Sequence, residues 1–307
     1  MKILFSGLGS IGSRHIKNLS EELSGRGIAF SIDALRLTDR PLRGGVEELL
    51  NHCFSDMDAL GEYDIAFVTN PTCMHEETVK KLADKARDMF IEKPVFSTSF
   101  VDVKSLGLRA DGVYYVACPL RHTPVIREMK RICEREHVVA ARALCSSYLP
   151  EWRAGTDYRE CYSAHKAQGG GVVLDLIHEW DYLTYLFGMP SSVSGYCGKL
   201  SALEIDSEDV AVYAARFKSM LLTLQLDYIG RTPQREIEIF TDDEVIVGDI
   251  LANSVARKKT GETTQLARED FYANEMRYFV DCVLERKTDN MNDIKTALGV
   301  LRAAQID

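Results

Sequence analysis

The order of residues at the start of the chain constrains the fold more than any other feature. The apolar run KILFS is followed by Gly7, Gly9 and Gly12, and a helical apolar pattern comes next. Such a strand, turn and helix are typical of a dinucleotide-binding fold: the first glycine permits a tight turn, the second lets a pyrophosphate approach the backbone, and the third lets the helix pack on the strand. We predict a cofactor loop formed by Gly7, Gly9, Ser10, Ile11 and Gly12, with a purely structural glycine turn as the alternative.

Strands and helices continue to alternate after this loop. Segments typical of strands lie at 29–36, 64–69, 89–92 and 113–117, and a helical pattern lies at 75–86. Their alternation predicts a parallel, doubly wound sheet. Since 307 residues exceed one ordinary core, we expect a dinucleotide-binding domain at 1–120 and a substrate-binding and oligomerisation domain at 121–290, with the terminal helix 291–307 packing on the first.

Composition and charge exclude several classes of protein. A formal charge of -9 without clusters of Lys and Arg argues against nucleic-acid binding. No apolar run approaches the roughly 20 residues needed to span a bilayer, and the first residues lack a signal-peptide cleavage pattern. The eight cysteines are scattered without a CxxC pair or zinc-ligand spacing, so we expect no metal site and a cytoplasmic location.

The exit of the second predicted strand bears on the choice between NAD and NADP. An acidic residue about 20 positions past the glycines favours NAD, and an Arg there favours NADP. Asp33 lies 21 positions beyond Gly12 but inside the predicted strand, whereas Arg36 and Thr38 lie at its exit beside Asp39. Arg36 and Thr38 favour NADP and Asp39 would favour NAD, so the sequence tilts toward NADP and leaves NAD open as the alternative.

Two later loops lie at the carboxyl ends of strands, where open α/β sheets bind ligands. The loop TNPTCMH contains Asn70, Pro71 and His75, and the loop EKP contains Glu92 and Lys93. Because Lys93 stands between an acid and a proline, it is not an ordinary solvated helical lysine, and we predict a functional role for it. A surface ion pair with Glu92 is the alternative. His75 is as readily a helix-start residue as a cofactor contact.

The segment GGGVVLDLIHEWDYLTYLFG at 169–188 predicts one buried helix that carries polar groups at a regular spacing. Asp175, His178 and Asp181 follow one another at intervals of three and share one arc of that helix. A buried carboxylate beside an imidazole is costly unless both groups are engaged. The segment therefore indicates a functional pair, with a structural Asp–His pair as the alternative.

A long loop at 147–171 precedes this helix. Long loops are usually functional or disordered, and the aromatic residues here argue against disorder. The predicted substrate contacts in it are Trp152, Arg153 and Tyr158. Arg153 or Arg159 could hold a carboxylate or phosphate, although a solvated lid is an alternative. Arg121 and His122, near the predicted domain junction, are further candidates, and a structural role is equally open for His122.

The remaining chain predicts a sheet and two helices. From 192 to 258 the segments alternate apolar and polar residues between turns, which predicts an antiparallel meander with one buried face. The other face is free to cover a second copy, so we expect a homodimer or homotetramer. Helices are predicted at 269–286 and from 293.

The chain resembles the Gfo/Idh/MocA family, the glucose-fructose oxidoreductase and inositol dehydrogenase-like enzymes, in four motifs and their order: GLGSIG (7–12), NPTCMH (70–75), EKP (92–94) and the segment 169–188. The resemblance implies a Rossmann domain followed by an α+β domain with a large open, mostly antiparallel sheet. It also implies hydride transfer between NAD(P) and a hydroxyl-bearing carbon. The family's lysine matches Lys93, and its Asp and His match Asp175 and His178, although the family commonly separates the latter two by four residues rather than three.

These residues suggest roles in oxidation of an alcohol. Histidine suits a proton acceptor because its ordinary pKa is near 6.5. We predict His178 as acid/base, Lys93 as its partner on the reacting oxygen, and Asp175 as the group that positions a neighbouring hydroxyl, with Asp181 in a structural contact. Whether Lys93 or His178 first accepts the proton stays open.

We therefore expect an NAD(P)-dependent oxidoreductase acting on a sugar, cyclitol or sugar acid, with an acidic or nucleotide-linked sugar as one option. Two alternatives remain. One is redox-neutral glycoside cleavage with a tightly bound NAD, and the other is a dinucleotide-binding protein without enzymatic activity.

Overall fold

The glycine turn and the predicted meander belong to separately packed parts of the chain. The computed structural model describes residues 1–36, 42 and 45–306. Unit 1 comprises Met1–Ala117 and Phe271–Leu298, and unit 2 comprises Cys118–Asp270 and Gly299–Asp307. Unit 1 therefore includes the segment from 271 to 290, which the sequence-based division assigned to the second domain. Unit 2 includes the chain from Gly299 onward, which that division assigned to the first domain.

Among the described residues, the strands are β1 (Lys2–Ser6), β2 (Ser31–Leu35), β3 (His52–Phe54), β4 (Tyr63–Val68), β5 (Ala86–Ile91), β6 (Tyr114–Val116), β7 (Val138–Tyr148), β8 (Ser192–Gly198), β9 (Val210–Arg216), β10 (Leu221–Asp227), β11 (Ile229–Thr241), β12 (Val245–Asp249), β13 (Ser254–Arg257) and β14 (Thr263–Gln265). The α-helices are α1 (Ser10–Gly25), α2 (His75–Leu82), α3 (Pro124–Cys133), α4 (Val172–Asp175), α5 (Ile177–Phe187), α6 (Phe271–Leu284) and α7 (Ile294–Ala304).

The sheet of unit 1 confirms the predicted parallel, doubly wound arrangement. Its strand order is β3-β2-β1-β4-β5-β6, and each neighbouring pair is parallel. The order reverses between β1 and β4, and ligands of open α/β sheets bind at the carboxyl ends of the strands at such a point. The cofactor loop follows β1, so the fold of unit 1 places it at this position.

Stacked aromatic rings fill the core of unit 1. Phe5 on β1 stacks on Phe67 of β4 with 4.3 Å between ring centroids, and Phe67 stacks on Phe90 of β5 at 5.1 Å. Helix α6 adds Phe279, whose ring meets Phe67 and Phe90 edge-on at 5.6 and 5.2 Å. Since burial of each such side chain contributes about 1.5–3 kcal/mol, α6 is an integral part of this core.

The sheet of unit 2 is mostly antiparallel, as predicted, but it is not one continuous meander, because β7 lies between β10 and β11. Its strand order is β14-β13-β12-β11-β7-β10-β9-β8, and among the described strands only β7 and β10 pair in parallel. The central strand β7 was not predicted. Its sequence VVAARALCSSY alternates only weakly, because small Ala and Cys residues occupy its buried positions.

The two faces of this sheet differ in what covers them. On the inner face, Tyr213 of β9 is buried against Trp180 of α5, with the rings edge-on at 5.2 Å. On the outer face, Tyr196, Val212 and Leu221 share one side of neighbouring strands and are 88, 45 and 62 % exposed. The outer face therefore presents apolar side chains to solvent.

Within the described part of the chain, no helix combines the length and apolar character that crossing a membrane requires.

Candidate active site

Two glycines shape the cofactor loop between β1 and α1. Gly7 has a φ of +95°, and a Cβ there would lie 2.6 Å from the backbone N and Cα of Asn70. A Cβ at Gly12 would lie 2.7 Å from the carbonyl oxygen of Gly7. A Cβ at Gly9, in contrast, would meet nothing within 4 Å. Gly7 and Gly12 thus permit close backbone packing, and Gly9 borders an open space that a ligand can approach.

The start of α1 has the properties of an anion-binding helix terminus. Its first turn carries no side-chain cap and no acidic residue. The first N–H groups of a helix lack intrahelical acceptors and carry partial positive charge, which suits a pyrophosphate. Thr69, which the sequence analysis did not identify, donates its hydroxyl to the carbonyl of Gly7 at 2.5 Å and fastens the loop to the end of β4. The residues present therefore fit a dinucleotide.

His75 joins the loops that follow β4 and β5. Its buried ring places Nε2 2.9 Å from the carbonyl oxygen of Asn70 and Nδ1 3.0 Å from that of Pro94. Burial lowers the pKa of His75, although these carbonyls oppose the shift. Asn70 also donates its side-chain amide to Thr78 Oγ1 at 2.7 Å, and Pro71 is exposed. His75 is the first residue of α2, so the structure places it as a support behind both loops.

Glu92 and His15 connect the EKP loop to α1. Glu92 is buried, and its Oε1 lies 2.5 Å from Nε2 of the fully buried His15. The backbone N–H of Lys93 donates to Oε2 of Glu92 at 3.1 Å, and the Lys93 side chain is half-buried. Burial alone raises the pKa of Glu92, but His15 and Lys93 outweigh it and lower the pKa. Glu92 therefore holds the Lys93 backbone against the helix that starts at the cofactor loop.

The exit of β2 is only partly described. Asp33 lies within β2, where its carboxylate accepts the Tyr63 hydroxyl at 3.0 Å and contacts His52 Nδ1 at 3.2 Å. Its buried position agrees with the prediction that Asp33 is internal to the strand. Arg36 follows β2 and donates its backbone N–H to Phe54 at 2.8 Å. Thr38 lies outside the described residues.

In unit 2, the predicted single helix at 169–188 is wrong in one respect. It consists of α4 and α5, separated at Leu176, where φ is −94° and ψ is 21°. Asp175 ends α4, and His178 lies in the first turn of α5. Because the helix is interrupted between them, continuous helical rotation does not place these two side chains on one arc.

Three hydroxyl groups hold the carboxylate of Asp175. Tyr162 donates to Oδ1 in a short hydrogen bond, and Ser163 and Tyr228 donate to Oδ2 at 2.7 and 3.0 Å. Asp175 is buried, and burial together with this carboxylate raises the pKa of both tyrosines. Neutral phenols that donate to a carboxylate stabilise its charge. Asp175 is therefore a fixed acceptor in unit 2.

His178 contacts two charged side chains. Nη2 of Arg235, on β11, makes a short contact with Nε2 of His178, and Glu179 Oε1 lies 3.3 Å from the same nitrogen. Arg235 Nε lies 2.9 Å from Glu179 Oε1. Burial alone raises the pKa of Glu179, but Arg235 and His178 lower it. His178 thus lies beside an ion pair.

Asp181 makes the structural contact predicted for it. Arg121 donates Nη2 and Nε to its two carboxylate oxygens at 2.7 and 2.9 Å, and both residues are buried. The guanidinium of Arg121 is thus engaged by Asp181. The neighbouring His122 is also buried, and burial together with Arg121 and Arg127 lowers the pKa of His122 to about 4.

The loop candidates surround one small cavity. Trp152, Arg153 and Tyr158 line a cavity of about 10 Å³ together with Ser163, whose hydroxyl binds Asp175. Trp152 also meets the ring of Tyr228 edge-on at 5.2 Å, so the loop that contains Tyr162 and Ser163 also contacts the third hydroxyl-bearing side chain on Asp175. Arg159 lies apart, paired with Asp157 and Glu204.

Several residues around these candidates were missed by the sequence analysis. They are His15, Thr69, Tyr162, Ser163, Glu179, Tyr228 and Arg235. His15 follows Gly12 by one helical turn, and Tyr162 and Ser163 lie in the long loop, so local signals existed for these three. Arg235 and Tyr228 are brought to α5 and α4 by strand pairing, and no local sequence pattern marks them.

Comparison with known proteins identifies the family. Residues 1–111 match the model described as oxidoreductase family, NAD-binding Rossmann fold, and residues 126–247 match the GFO/IDH/MocA C-terminal domain. The uncharacterized oxidoreductase YrbE of Bacillus subtilis (strain 168) is 24 % identical over 297 residues, covering 94 % of this chain and 82 % of that protein. The scyllo-inositol 2-dehydrogenase (NAD(+)) of the same organism is 23 % identical over 328 residues, covering 96 and 89 %.

A solved structure has the same fold. Levoglucosan dehydrogenase in complex with NADH and levoglucosan superposes with a TM-score of 0.83 at 15 % identity, covering 99 % of this chain and 95 % of that one. At this identity the likeness establishes the fold alone. The two family models together match well over half of the chain, and the chain belongs to the Gfo/Idh/MocA family of oxidoreductases, with an NAD-binding Rossmann fold at its N-terminus.

Proposed function

We propose that this protein is an NAD(P)-dependent dehydrogenase that transfers a hydride between the nicotinamide and a hydroxyl-bearing carbon of a sugar, cyclitol or sugar acid. The observation that carries the proposal is the loop at the end of β1, with close backbone packing at Gly7 and open space at Gly9 next to an uncapped helix terminus. Family membership supports it, as does the cyclitol substrate in the name of the B. subtilis scyllo-inositol dehydrogenase.

The residues of unit 1 hold the cofactor and supply a cation. When bound, the nicotinamide accepts or supplies the hydride. The backbone N–H groups of Ser10, Ile11 and Gly12 bind the pyrophosphate at the start of α1. Lys93, whose backbone is held by Glu92, stabilises negative charge on the reacting oxygen with its ammonium group.

The residues of unit 2 hold and move a proton and orient the substrate. His178 takes the hydroxyl proton during oxidation and returns it during reduction. Asp175 orients a neighbouring substrate hydroxyl; three protein hydroxyls already occupy part of the acceptor capacity of its carboxylate, so it accepts in a fixed direction. Lys93→Ala and His178→Ala should each lower kcat by about 10²–10⁴-fold while cofactor binding persists.

Arg153 supports an acidic substrate. It lines the small cavity together with Trp152, Tyr158 and Ser163. A cavity of about 10 Å³ holds at most about one water molecule, so the support for an acidic substrate comes from the Arg153 side chain and not from the size of the cavity. We propose that a carboxylate or phosphate of the substrate binds at Arg153, and Arg153→Ala should raise KM for acidic substrates more than for neutral ones. Arg121 is left out of this proposal because Asp181 engages its guanidinium.

Arg36 supports NADP rather than NAD. Arg36 immediately follows β2, and a guanidinium there suits the 2′-phosphate of NADP. Arg36→Ala should weaken binding of NADPH more than binding of NADH. Equal losses for the two cofactors would contradict the preference.

The deciding experiment is titration of the purified protein with NADH and NADPH, followed by nicotinamide fluorescence, and then addition of sugars, cyclitols and uronic acids. We expect one cofactor to bind, and one substrate to oxidise or reduce that cofactor in a stoichiometric amount. Turnover without net reduced cofactor would favour redox-neutral cleavage. If neither cofactor binds, the proposed function is refuted.

We also propose that the outer face of the unit 2 sheet pairs with a second copy of this chain. Tyr196, Val212 and Leu221 supply apolar contact area on that face. Analytical ultracentrifugation should give a dimer or tetramer, and Leu221→Lys should shift the distribution toward monomer. A wild-type monomer at micromolar concentration would remove the proposal.

A further inference from the structure

We propose that Arg235 is a positioning residue that fixes the tautomer of His178. An Arg235 N–H holds the lone pair of Nε2 and the ring proton stays on Nδ1, until the substrate hydroxyl displaces that N–H and delivers its proton to Nε2, while the guanidinium keeps its contacts with Cys145 and Glu179. The inference rests on the proposed function, in which His178 is the acid/base group. It assigns a role to a residue that the sequence pattern does not mark.

Strand pairing brings Arg235 to His178. Arg235 on β11 is paired in register with Cys145 on the central strand β7. Its Nη2 contacts both His178 Nε2 and Cys145 Sγ, the latter at 3.4 Å, and its Nε lies 2.9 Å from Oε1 of the fully buried Glu179. One guanidinium therefore contacts an imidazole, a thiol and a carboxylate.

The chemistry of these groups decides where the proton lies. A guanidinium only donates hydrogen bonds, so the nitrogen that faces it must accept. A neutral imidazole has one N–H, and an accepting Nε2 places that proton on Nδ1. Glu179 Oε1, 3.3 Å from Nε2, would instead favour a proton on Nε2, and Arg235 competes with it directly. Without Arg235, the carboxylate would draw the ring into the opposite tautomer.

The same guanidinium explains why this cluster is not a metal site. The ligand atoms of Cys145, His178 and Glu179 lie within 4.8 Å of one another, as metal ligands would. Arg235 contacts all three residues and supplies the positive charge that a metal ion would otherwise supply. Beside Arg235, Cys145 is a neutral thiol, because burial and Glu179 raise its pKa to about 12.

The charges facing His178 predict how its titration responds. Arg235 is cationic and Glu179 anionic, whereas Cys145 and Tyr182 are neutral because burial raises the pKa of each. Removing Arg235 leaves an uncompensated carboxylate beside the imidazole, which favours the imidazolium. The pKa of His178 should therefore rise by about one unit or more, a tenfold or larger change in proton affinity.

The test is ¹⁵N NMR of His178 in the full-length protein, assigned with His178→Gln, together with pH profiles of kcat/KM. Wild type should have an unprotonated Nε2 and a protonated Nδ1. Arg235→Met should move the proton to Nε2 and shift the acidic limb of the profile upward by about one pH unit, while Arg235→Lys should restore part of the wild-type behaviour. Arg231→Met is the matched control, because Arg231 lies on the same strand but stacks on the Tyr148 ring at 3.6 Å.

The outcomes separate this inference from the proposed function. A protonated Nε2 in wild type, or an unchanged tautomer in Arg235→Met, would overturn the inference even if His178→Gln is inactive. Full activity of His178→Gln would overturn the proposed acid/base role, and with it the catalytic meaning of the tautomer. If Arg235→Met does not fold, Arg235→Met combined with Glu179→Gln removes the unpaired charge, and the wild-type spectrum still decides the tautomer.

Discussion

Replacing Gly7 and Gly9 in turn by alanine should separate the packing of the cofactor loop from its binding function. Alanine at the φ of +95° found at Gly7 costs about 1–2 kcal/mol in left-handed strain. Its Cβ would also lie 2.6 Å from the backbone of Asn70, and relieving such overpacking costs about 1–3 kcal/mol. Gly7→Ala should therefore destabilise unit 1 by about 2–5 kcal/mol.

Gly9→Ala is the matched substitution because it meets no neighbour. The backbone of Gly9, with φ −76° and ψ −168°, is open to any residue, so the stability of the protein without cofactor should change by less than about 1 kcal/mol. Its methyl group would instead project into the space beside the start of α1. Wild type should gain about 2.7 kcal/mol from NADH or NADPH, whichever it binds, at 100 times its Kd, and Gly9→Ala should lose most of that gain.

The assay must report on unit 1. Both tryptophans, Trp152 and Trp180, belong to unit 2, so their fluorescence does not follow the cofactor-binding unit. Hydrogen exchange of Lys2–Ser6 and Tyr63–Val68, measured with and without cofactor, reports the stability of the sheet directly. Wild-type protection in Gly7→Ala would refute the packing argument. Wild-type cofactor affinity in Gly9→Ala would refute the assignment of the open space to the dinucleotide.

Three further predictions concern buried ionisable groups. Arg121→Ala should destabilise unit 2 by about 3–5 kcal/mol, and Arg121→Met with Asp181→Leu should recover most of the loss; urea unfolding followed by tryptophan fluorescence checks both. His122 should titrate near pH 4 in an NMR titration, so its contribution to stability is present above pH 6.5 and is lost as the pH falls toward 4; a midpoint near 6.5 would contradict this. Because the pKa of Glu92 is lowered in the folded protein, its carboxylate contributes stability above pH 4.5, the ordinary pKa of the group, and this stability is lost as the pH falls further. Glu92→Gln should therefore show a shallower acid-induced drop in Tm than wild type.

Much of the cofactor-binding unit could be predicted from local sequence. Its strands are apolar runs bounded by glycine and polar loops, and the glycine spacing at 7–12 has a backbone requirement that the structure meets at Gly7 and Gly12. Helix α6 was predicted as a helix but assigned to the second domain, whereas it belongs to unit 1. Its amphipathic pattern shows that one face is buried, but the pattern carries no information about which sheet buries it.

The candidate site in unit 2 was predictable only in part. The polar groups Asp175, His178 and Asp181 are visible in the sequence as interruptions of an apolar segment. Their orientation was not predictable, because the interruption at Leu176 depends on how α4 and α5 pack. Helical periodicity alone describes a continuous helix and cannot anticipate such a break.

The sequence by itself determined the parallel sheet with its cofactor loop, the antiparallel sheet apart from its central strand β7, and the candidate Lys, Asp and His, because strand and helix periodicity and glycine conformation are local properties. Only the tertiary structure decided the partners of those residues. Glu92 with His15, Asp175 with Tyr228, and His178 with Arg235 are pairs separated by 53 to 77 positions in the chain. Such pairs depend on sheet order, strand register and helix packing, which arise from the burial of many residues together and leave no spacing in the sequence to read.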